Sequence, residues 1–256
     1  MIEKLNKTAL ITGASSGIGR DMARVLSEKG YNLILVARDV NKMLELKNEL
    51  KSDVKIIQMD LSIEDNCKNL YEQVKHVDIL INNAGFGVFG NFAETDLDKE
   101  LNLINTNIKA VHILTKLFLK DMIERSEGHI LNVSSIAGFT PGPLMAAYYS
   151  SKAYVLRLSE AINVELRKQK SNVKISVLCP GPVKTNFNNV AGVKFNLSSL
   201  SSEYVARYAI NKMLKNKLII IPGKVNKLLR FILKFVPERV CAFFNYYVQK
   251  RKNGCF

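Results

Sequence analysis

The sequence predicts a single doubly wound α/β domain, with a seven-stranded parallel sheet covered by helices on both faces and an amphipathic helical tail behind it. Three observations carry this. Apolar strand-like runs alternate with helix-length amphipathic segments from residue 8 to about residue 221. At 256 residues, 47% apolar and 23% charged, the chain is long and apolar enough for one large core and is far from the composition of disordered chains. Finally, the first strand-like run passes directly into a glycine-rich turn and a helix-forming segment, the start expected of a strand–helix–strand unit.

The strands are expected at Thr8–Thr12, Asn32–Val36, Val54–Gln58, Asp78–Ile81, His129–Val133, Lys174–Leu178 and Leu218–Ile221. The turn after the first reads Thr12-Gly13-Ala14-Ser15-Ser16-Gly17-Ile18-Gly19, and the helix-forming run spans Arg20 to Lys29. Glycines at this spacing let the backbone turn tightly and approach a pyrophosphate, held by the free N–H groups and positive dipole end of the helix. The same residues also read as G-x-S-x-G around Ser15, a hydrolase nucleophile pattern. That reading has no use for Gly19, and His76, His112 and His129 stand in no relation to a later acid. Each histidine reads as a packing or surface residue.

The second strand ends Val36-Ala37-Arg38-Asp39. In a dinucleotide fold an acid at this end takes the ribose hydroxyls of NAD, whereas an arginine pairs with the 2′-phosphate of NADP. Arg38 favours NADP, and Asp39 one step later pulls the other way. Asp60-Leu61 and Asn82-Asn83-Ala84-Gly85 follow the third and fourth strands, at the carboxyl ends where open α/β sheets bind ligands. Ser134-Ser135 closes the fifth strand, and Tyr148 and Lys152 then lie four apart, on one face of a helix. An ammonium near a phenol favours phenolate and lowers its pKa, and such a pair exchanges a proton with a hydroxyl or carbonyl.

The ordered set Thr12-Gly13, Gly17-Ile18-Gly19, Asn82-Asn83-Ala84-Gly85, Asn107, Ser135, Tyr148, Lys152 and Pro180-Gly181 with Thr185 resembles the short-chain dehydrogenase/reductase family over residues 8 to about 221. The resemblance implies a Rossmann-type domain over residues 1–223 and an NADP(H)-dependent oxidoreductase acting on a ketone, aldehyde or alcohol. It implies Tyr148 as general acid and base, and Lys152 as the residue that lowers its pKa and holds the nicotinamide ribose. Ser135, 13 residues before Tyr148, would bond the substrate oxygen, and Asn107, rather than Asn105, would anchor a water relay. The implied cofactor-binding set is Gly13, Ser15, Ser16, Gly17, Ile18, Gly19, Arg38, Asp60, Leu61, Asn83, Ala84, Gly85, Tyr148, Lys152, Pro180, Gly181, Val183 and Thr185, with the last four closing over the nicotinamide. Residues 186–200 correspond to the family's substrate loop. Their apolar side chains, with Ile136, Phe139, Pro141 and Leu144, suggest a lipophilic substrate. A homodimer or homotetramer is also implied. The alternative is a non-catalytic nucleotide-binding scaffold or sensor whose tail binds a membrane or partner.

Lys and Arg number 37 against 23 Asp and Glu, a formal charge of +14; from Lys217 onward there are nine basic residues and one acid, so about +8 of it lies in the last 40 residues. In the tail, 224–256, Val225, Leu228, Leu229, Ile232 and Val236 recur at helical spacing, with Lys227, Arg230 and Lys234 on another stripe. Pro237 interrupts, and Val240, Phe243, Phe244 and Tyr247 form a second pattern. Neither piece has the 18 or so uninterrupted apolar residues of a spanning helix. The tail is expected to pack on the protein or a subunit partner, or to lie on a membrane surface. No long basic run interleaved with aromatics points to nucleic acid. Cys67, Cys179, Cys241 and Cys255 have neither disulfide-framework nor metal-ligand spacing. They read as reduced thiols, and the amino end reads as carrying no secretory signal. A cytoplasmic protein, either free or peripheral to a membrane through its tail, is the expectation.

Overall fold

In the computed structural model, which describes residues 7–185, 187 and 199–252, seven strands form one parallel sheet. They are β1 (Thr8–Thr12), β2 (Asn32–Ala37), β3 (Val54–Gln58), β4 (Ile79–Asn82), β5 (His129–Val133), β6 (Lys174–Leu178) and, after the short β7 (Val183–Lys184) and β8 (Leu200–Ser201), β9 (Ile219–Ile220). The order is β3-β2-β1-β4-β5-β6-β9, with β7 and β8 paired separately. Helices α1 (Gly17–Glu28), α2 (Val40–Glu49), α3 (Glu64–Val74), α4 (Leu97–Ile104), α5 (Val111–Glu124), α6 (Ala146–Lys168) and α7 (Ser202–Met213) connect them. This is the expected Rossmann-type fold. The seventh strand is shorter than Leu218–Ile221, because its partner on the sheet edge pairs only Val177 and Leu178 with Ile219 and Ile220, and Pro222, which has no N–H to donate, follows at once.

Alternation along the strands builds two cores. Ala9 and Ile11 of β1, with Leu33, Leu35, Ile79 and Ile81, pack against Met22, Leu26, Met43 and Ile210 of α1, α2 and α7. Leu10, Ile34, Leu80 and Ile130 point the other way onto Leu70, Leu114, Phe118, Ile162 and Leu166 of α3, α5 and α6. Central strands buried on both faces explain their nearly continuous apolar sequences.

Between the sheet and the second helical layer runs a buried polar chain. Asn82 Nδ2 donates to Thr115 Oγ1 at 3.0 Å and to Asn132 Oδ1 at 2.9 Å, and Asn132 Nδ2 donates to Ser159 Oγ at 3.0 Å. It fixes α6 against β4 and β5, where Tyr148 and Lys152 must be held.

The tail folds as two helices, α8 (Lys224–Ile232) and α9 (Glu238–Lys252), separated at Pro237. Among the described residues no helix is long and apolar enough to cross a membrane.

Candidate active site

The strand order reverses between β1 and β4, and parallel sheets open a crevice at such a point beyond the strands' carboxyl ends. Here the crevice is a cleft of about 480 Å³. Its floor is two touching turns. Thr12 Oγ1 accepts from Asn83 N at 2.9 Å and from Ala84 N at 3.0 Å, and donates to Ile81 O at 3.3 Å. Asn83 Nδ2 returns bonds to the Thr12 and Gly13 carbonyls at 3.0 and 3.2 Å. Gly13 holds φ +64°, and a Cβ there would stand 2.9 Å from Ala84 Cα. Gly13, Ser15, Ser16, Gly17 and Ile18 line the cleft at the start of α1. The Ser16 side chain makes no capping bond and the first turn of α1 has no acid, which leaves its N–H groups for an anion.

Gly19 departs from expectation. It does not line the cleft, and its missing side chain is needed because a Cβ would lie 2.4 Å from Asn83 Nδ2 and 2.5 Å from Gly13 O. It admits the Asn83 clamp beneath the turn and is not a ligand contact.

At the cleft's far wall, beyond β2, Arg38 is 70% exposed at its side chain and lies 3.9 Å from Asp60 Oδ2. Asp39 caps α2, accepting from Lys42 N at 3.1 Å, and its other oxygen pairs with Lys42 Nζ at 2.8 Å. Those bonds hold its carboxyl below the usual range. Asp60 accepts from Ser62 N and Oγ at 2.9 and 2.8 Å, and Leu61 and Lys42 line the same wall.

On the opposite wall Ser135, Tyr148 and Lys152 converge. Ser135, two residues beyond the end of β5, donates to Pro180 O at 3.3 Å. Tyr148 and Lys152 lie one turn apart on α6, with Nζ 5.8 Å from the phenol ring centroid. Lys152 is 5% exposed, and its Nζ donates to Val133 O at 2.9 Å. Burial lowers its pKa to about 8. Burial also raises the Tyr148 phenol well above its usual value of 10, against a smaller opposing effect of Ser135. Loss of water around the phenol sets the direction, and the Lys152 ammonium expected to oppose it is itself desolvated and donates to Val133 O. The Tyr148 hydroxyl is thus neutral and a proton donor.

Asn107 is fully buried in a π-helical turn, Asn105–Ala110, between α4 and α5, and it does not line the cleft. Its Oδ1 accepts from Phe86 N at 3.0 Å, and its Nδ2 donates to Phe86 O at 2.9 Å and Ser151 Oγ at 3.1 Å. With both amide hydrogens committed, the side chain ties the segment after Gly85 to the helix that carries Tyr148 and Lys152.

Pro180, Gly181, Val183 and Thr185 complete the cleft rim, and the Thr185 methyl comes within 3.0 Å of a Cβ built on Gly17. Of the expected substrate loop, residues 186 and 188–198 lie outside the described residues. Phe187 packs on Tyr148, with centroids 5.2 Å apart. Met145, Phe89 and Tyr149 join them in an apolar cluster that faces the phenol. Phe89 and Met145 were not foreseen, and neither were two polar contributors. Tyr149 follows Tyr148 directly, and Gln249 arrives from α9, 2% exposed, its Nε2 donating to Tyr149 Oη at 2.6 Å and its Oε1 without a partner among the described residues. No local pattern marks Gln249, since its place depends on how the tail returns. The histidines are structural: His76 pairs with Asp121 at 2.7 Å, His112 with Tyr154 Oη at 2.6 Å, and buried His129 with Ser176 Oγ at 2.9 Å.

A family model described as short chain dehydrogenase matches residues 7–193. The chain belongs to that family. A curated relative, the 3-oxoacyl-[acyl-carrier-protein] reductase of Rickettsia prowazekii, is 33% identical over 192 residues, covering 74% of this chain and 78% of its own. A solved short-chain dehydrogenase from Sphingobium yanoikuyae, in complex with NADPH, superposes with a TM-score of 0.79 at 27% identity, over 91% of this chain and 97% of the other. One from Burkholderia phymatum, in complex with NAD, has a TM-score of 0.81 at 25% identity, over 90% and 93%. The chain is thus a short-chain dehydrogenase by sequence and by architecture, in a family of oxidoreductases whose members are solved with either nicotinamide dinucleotide.

Proposed function

We propose that this short-chain dehydrogenase is an NADP(H)-dependent oxidoreductase that interconverts a carbonyl compound and an alcohol. The observation that carries the reading is the convergence of Ser135, Tyr148 and Lys152 in the same cleft that opens on the uncapped start of α1. The cleft fits a dinucleotide: a diphosphate would meet the N–H groups of Ser15 to Ile18. The Asn83–Gly85 turn and the Pro180–Thr185 segment would flank the nicotinamide half, and Asp60 and Leu61 the adenine half. When bound, the cofactor supplies the hydride. Tyr148 Oη gives a proton to the carbonyl oxygen in reduction and takes it back in oxidation. Ser135 Oγ donates to that oxygen as charge develops on it, the Lys152 ammonium offsets the phenolate left behind, and Asn107 positions α6.

The preference for the 2′-phosphorylated cofactor is supported by the spent carboxylate of Asp39. With Asp39 capping α2 and paired with Lys42, the cation that the β2 end presents to the cleft is Arg38, beside Asp60. The apolar cluster of Phe89, Met145, Tyr149 and Phe187 supports a lipophilic substrate. The relative named as a 3-oxoacyl reductase supports carbonyl reduction as the chemistry. We further read residues 1–223 as the catalytic domain of a homo-oligomer, and the free, buried Cys67, Cys179 and Cys241 as thiols of a reducing compartment such as the cytoplasm. Titrating the protein with NADPH and with NADH tests the cofactor reading. NADPH should bind at least about tenfold more tightly, and Arg38→Ala should remove about that factor for NADPH alone. Tighter NADH binding, or an Arg38→Ala variant that binds NADPH as the parent does, would overturn it.

A further inference from the structure

Helix α8 is turned inside out. The residues it lays on the protein are polar: Asn226 Nδ2 donates to Pro222 O at 2.8 Å, the Arg230 guanidinium stacks 4.2 Å from the Phe139 ring centroid, and Lys227 Nζ lies 5.2 Å from that of Tyr208. Its large apolar residues face outward, with Val225 79%, Leu228 60% and Phe231 59% exposed, and no residue of the helix is buried. An ordinary surface helix does the reverse. Helix α9 repeats the arrangement. Cys241, Asn245 and Gln249, four residues apart, turn inward, and Asn245 Nδ2 donates to Thr140 Oγ1 and Pro141 O at 3.0 and 2.8 Å. Phe243, Phe244, Tyr247 and Val248 are exposed, as is Phe235 between the helices.

Charge selects the occupant. Residues 224–252 carry eight Lys or Arg and a single acid, Glu238, a local balance of 8 − 1 = +7. A second copy meeting this face by a two-fold axis would set +7 against +7, and an apolar protein partner would leave the cations uncompensated. An anionic bilayer meets both halves of the pattern, taking the apolar side chains below the headgroups and the cations not laid on the protein, Lys234 and Arg239 among them, near the phosphates. Neither helix is long enough to span. We propose that α8 and α9 form an interfacial anchor that docks the protein on an anionic lipid surface. Because α9 also supplies Gln249 to the cleft wall, docking places the cleft beside the bilayer.

The test is co-sedimentation of the full chain with phosphatidylcholine vesicles, with and without phosphatidylglycerol. The wild type should partition at least about tenfold more strongly onto the anionic vesicles. Leu228→Asp with Phe231→Asp, both outside the cores and the cleft, should lose binding by about a hundredfold while keeping the wild-type melting temperature and NADPH affinity. Lys234→Glu with Arg239→Glu, which leaves the apolar face intact, should lose the preference for anionic lipid. A wild type that stays in the supernatant with both vesicles, or binds both equally, would overturn the proposal. So would a wild-type oligomer on size exclusion that the Asp pair dissociates without any vesicle binding, which would give the face to a second copy. None of these readings depends on turnover.

Discussion

Replacing Thr12 with Val tests the join between the two turns that floor the cleft. The residue is 1% exposed, and its hydroxyl is the acceptor for two backbone donors, Asn83 N and Ala84 N, at 2.9 and 3.0 Å. Valine keeps the shape and deletes the oxygen, so both N–H groups lose a partner beside a turn that Gly13 packs to within van der Waals contact. An orphaned donor costs about 1–3 kcal/mol. Both groups are part-buried, so the lower end of that range applies to each and the expected loss is about 2–3 kcal/mol. The hydroxyl's own bond to Ile81 O, at 3.3 Å, adds little. Urea denaturation with linear extrapolation reads the loss directly. NADPH affinity should fall by about tenfold, since Asn83 and Ala84 line the cleft. Thr12→Ser, which restores the oxygen, should recover most of both. A Thr12→Val protein within about 0.5 kcal/mol of wild type would refute the reasoning, because variation of that size is ordinary for unlinked substitutions.

Burial, helped by the charge of Lys174, lowers the His129 pKa from 6.5 to about 4, so between these pH values the unfolded chain binds a proton that the folded chain refuses. Stability present above pH 6.5 should therefore drain as pH falls, by about 3 kcal/mol at pH 4, and His129→Gln should flatten that slope in urea melts run across the range. Gln249→Leu removes the bond to Tyr149 Oη and the unpartnered Oε1 in the cleft wall. It should leave NADPH affinity within about twofold and change KM for the carbonyl substrate by about fivefold to tenfold at saturating NADPH; an unchanged KM would remove Gln249 from the substrate site.

The strands and the β1–α1 turn were legible because both are local: burial on both faces writes itself as nearly continuous apolar runs into β1, β2, β4, β5 and β6, and the Gly13 turn needs its φ whatever the tertiary context. The spacing of Tyr148 and Lys152 was equally legible, and both reach the cleft as expected. The direction of the Tyr148 pKa was not, because it depends on how Met145, Tyr149 and Phe187 exclude water around the phenol, which no four-residue spacing encodes. Gly19 shows a similar limit. A G-x-G pattern demands two missing side chains but does not tell that Gly17 is missing one for Thr185 and Gly19 for Asn83. In the tail, periodicity placed the stripes of α8 correctly. Which stripe turns inward is decided by what Pro222, Phe139 and Tyr208 present to Asn226, Arg230 and Lys227, and the polar side won.

The central claim is that Tyr148 is the proton donor of a nicotinamide-dependent reduction. It is tested most directly by following NADPH oxidation against a panel of apolar ketones and aldehydes, with wild-type protein and Tyr148→Phe in parallel. Wild type should turn over at least one of them, and Tyr148→Phe should lose about a hundredfold to ten-thousandfold in kcat/KM, with NADPH affinity within about threefold. Near-native turnover by Tyr148→Phe on the same substrate would contradict the assignment of Tyr148, and with it the mechanism built on this cleft.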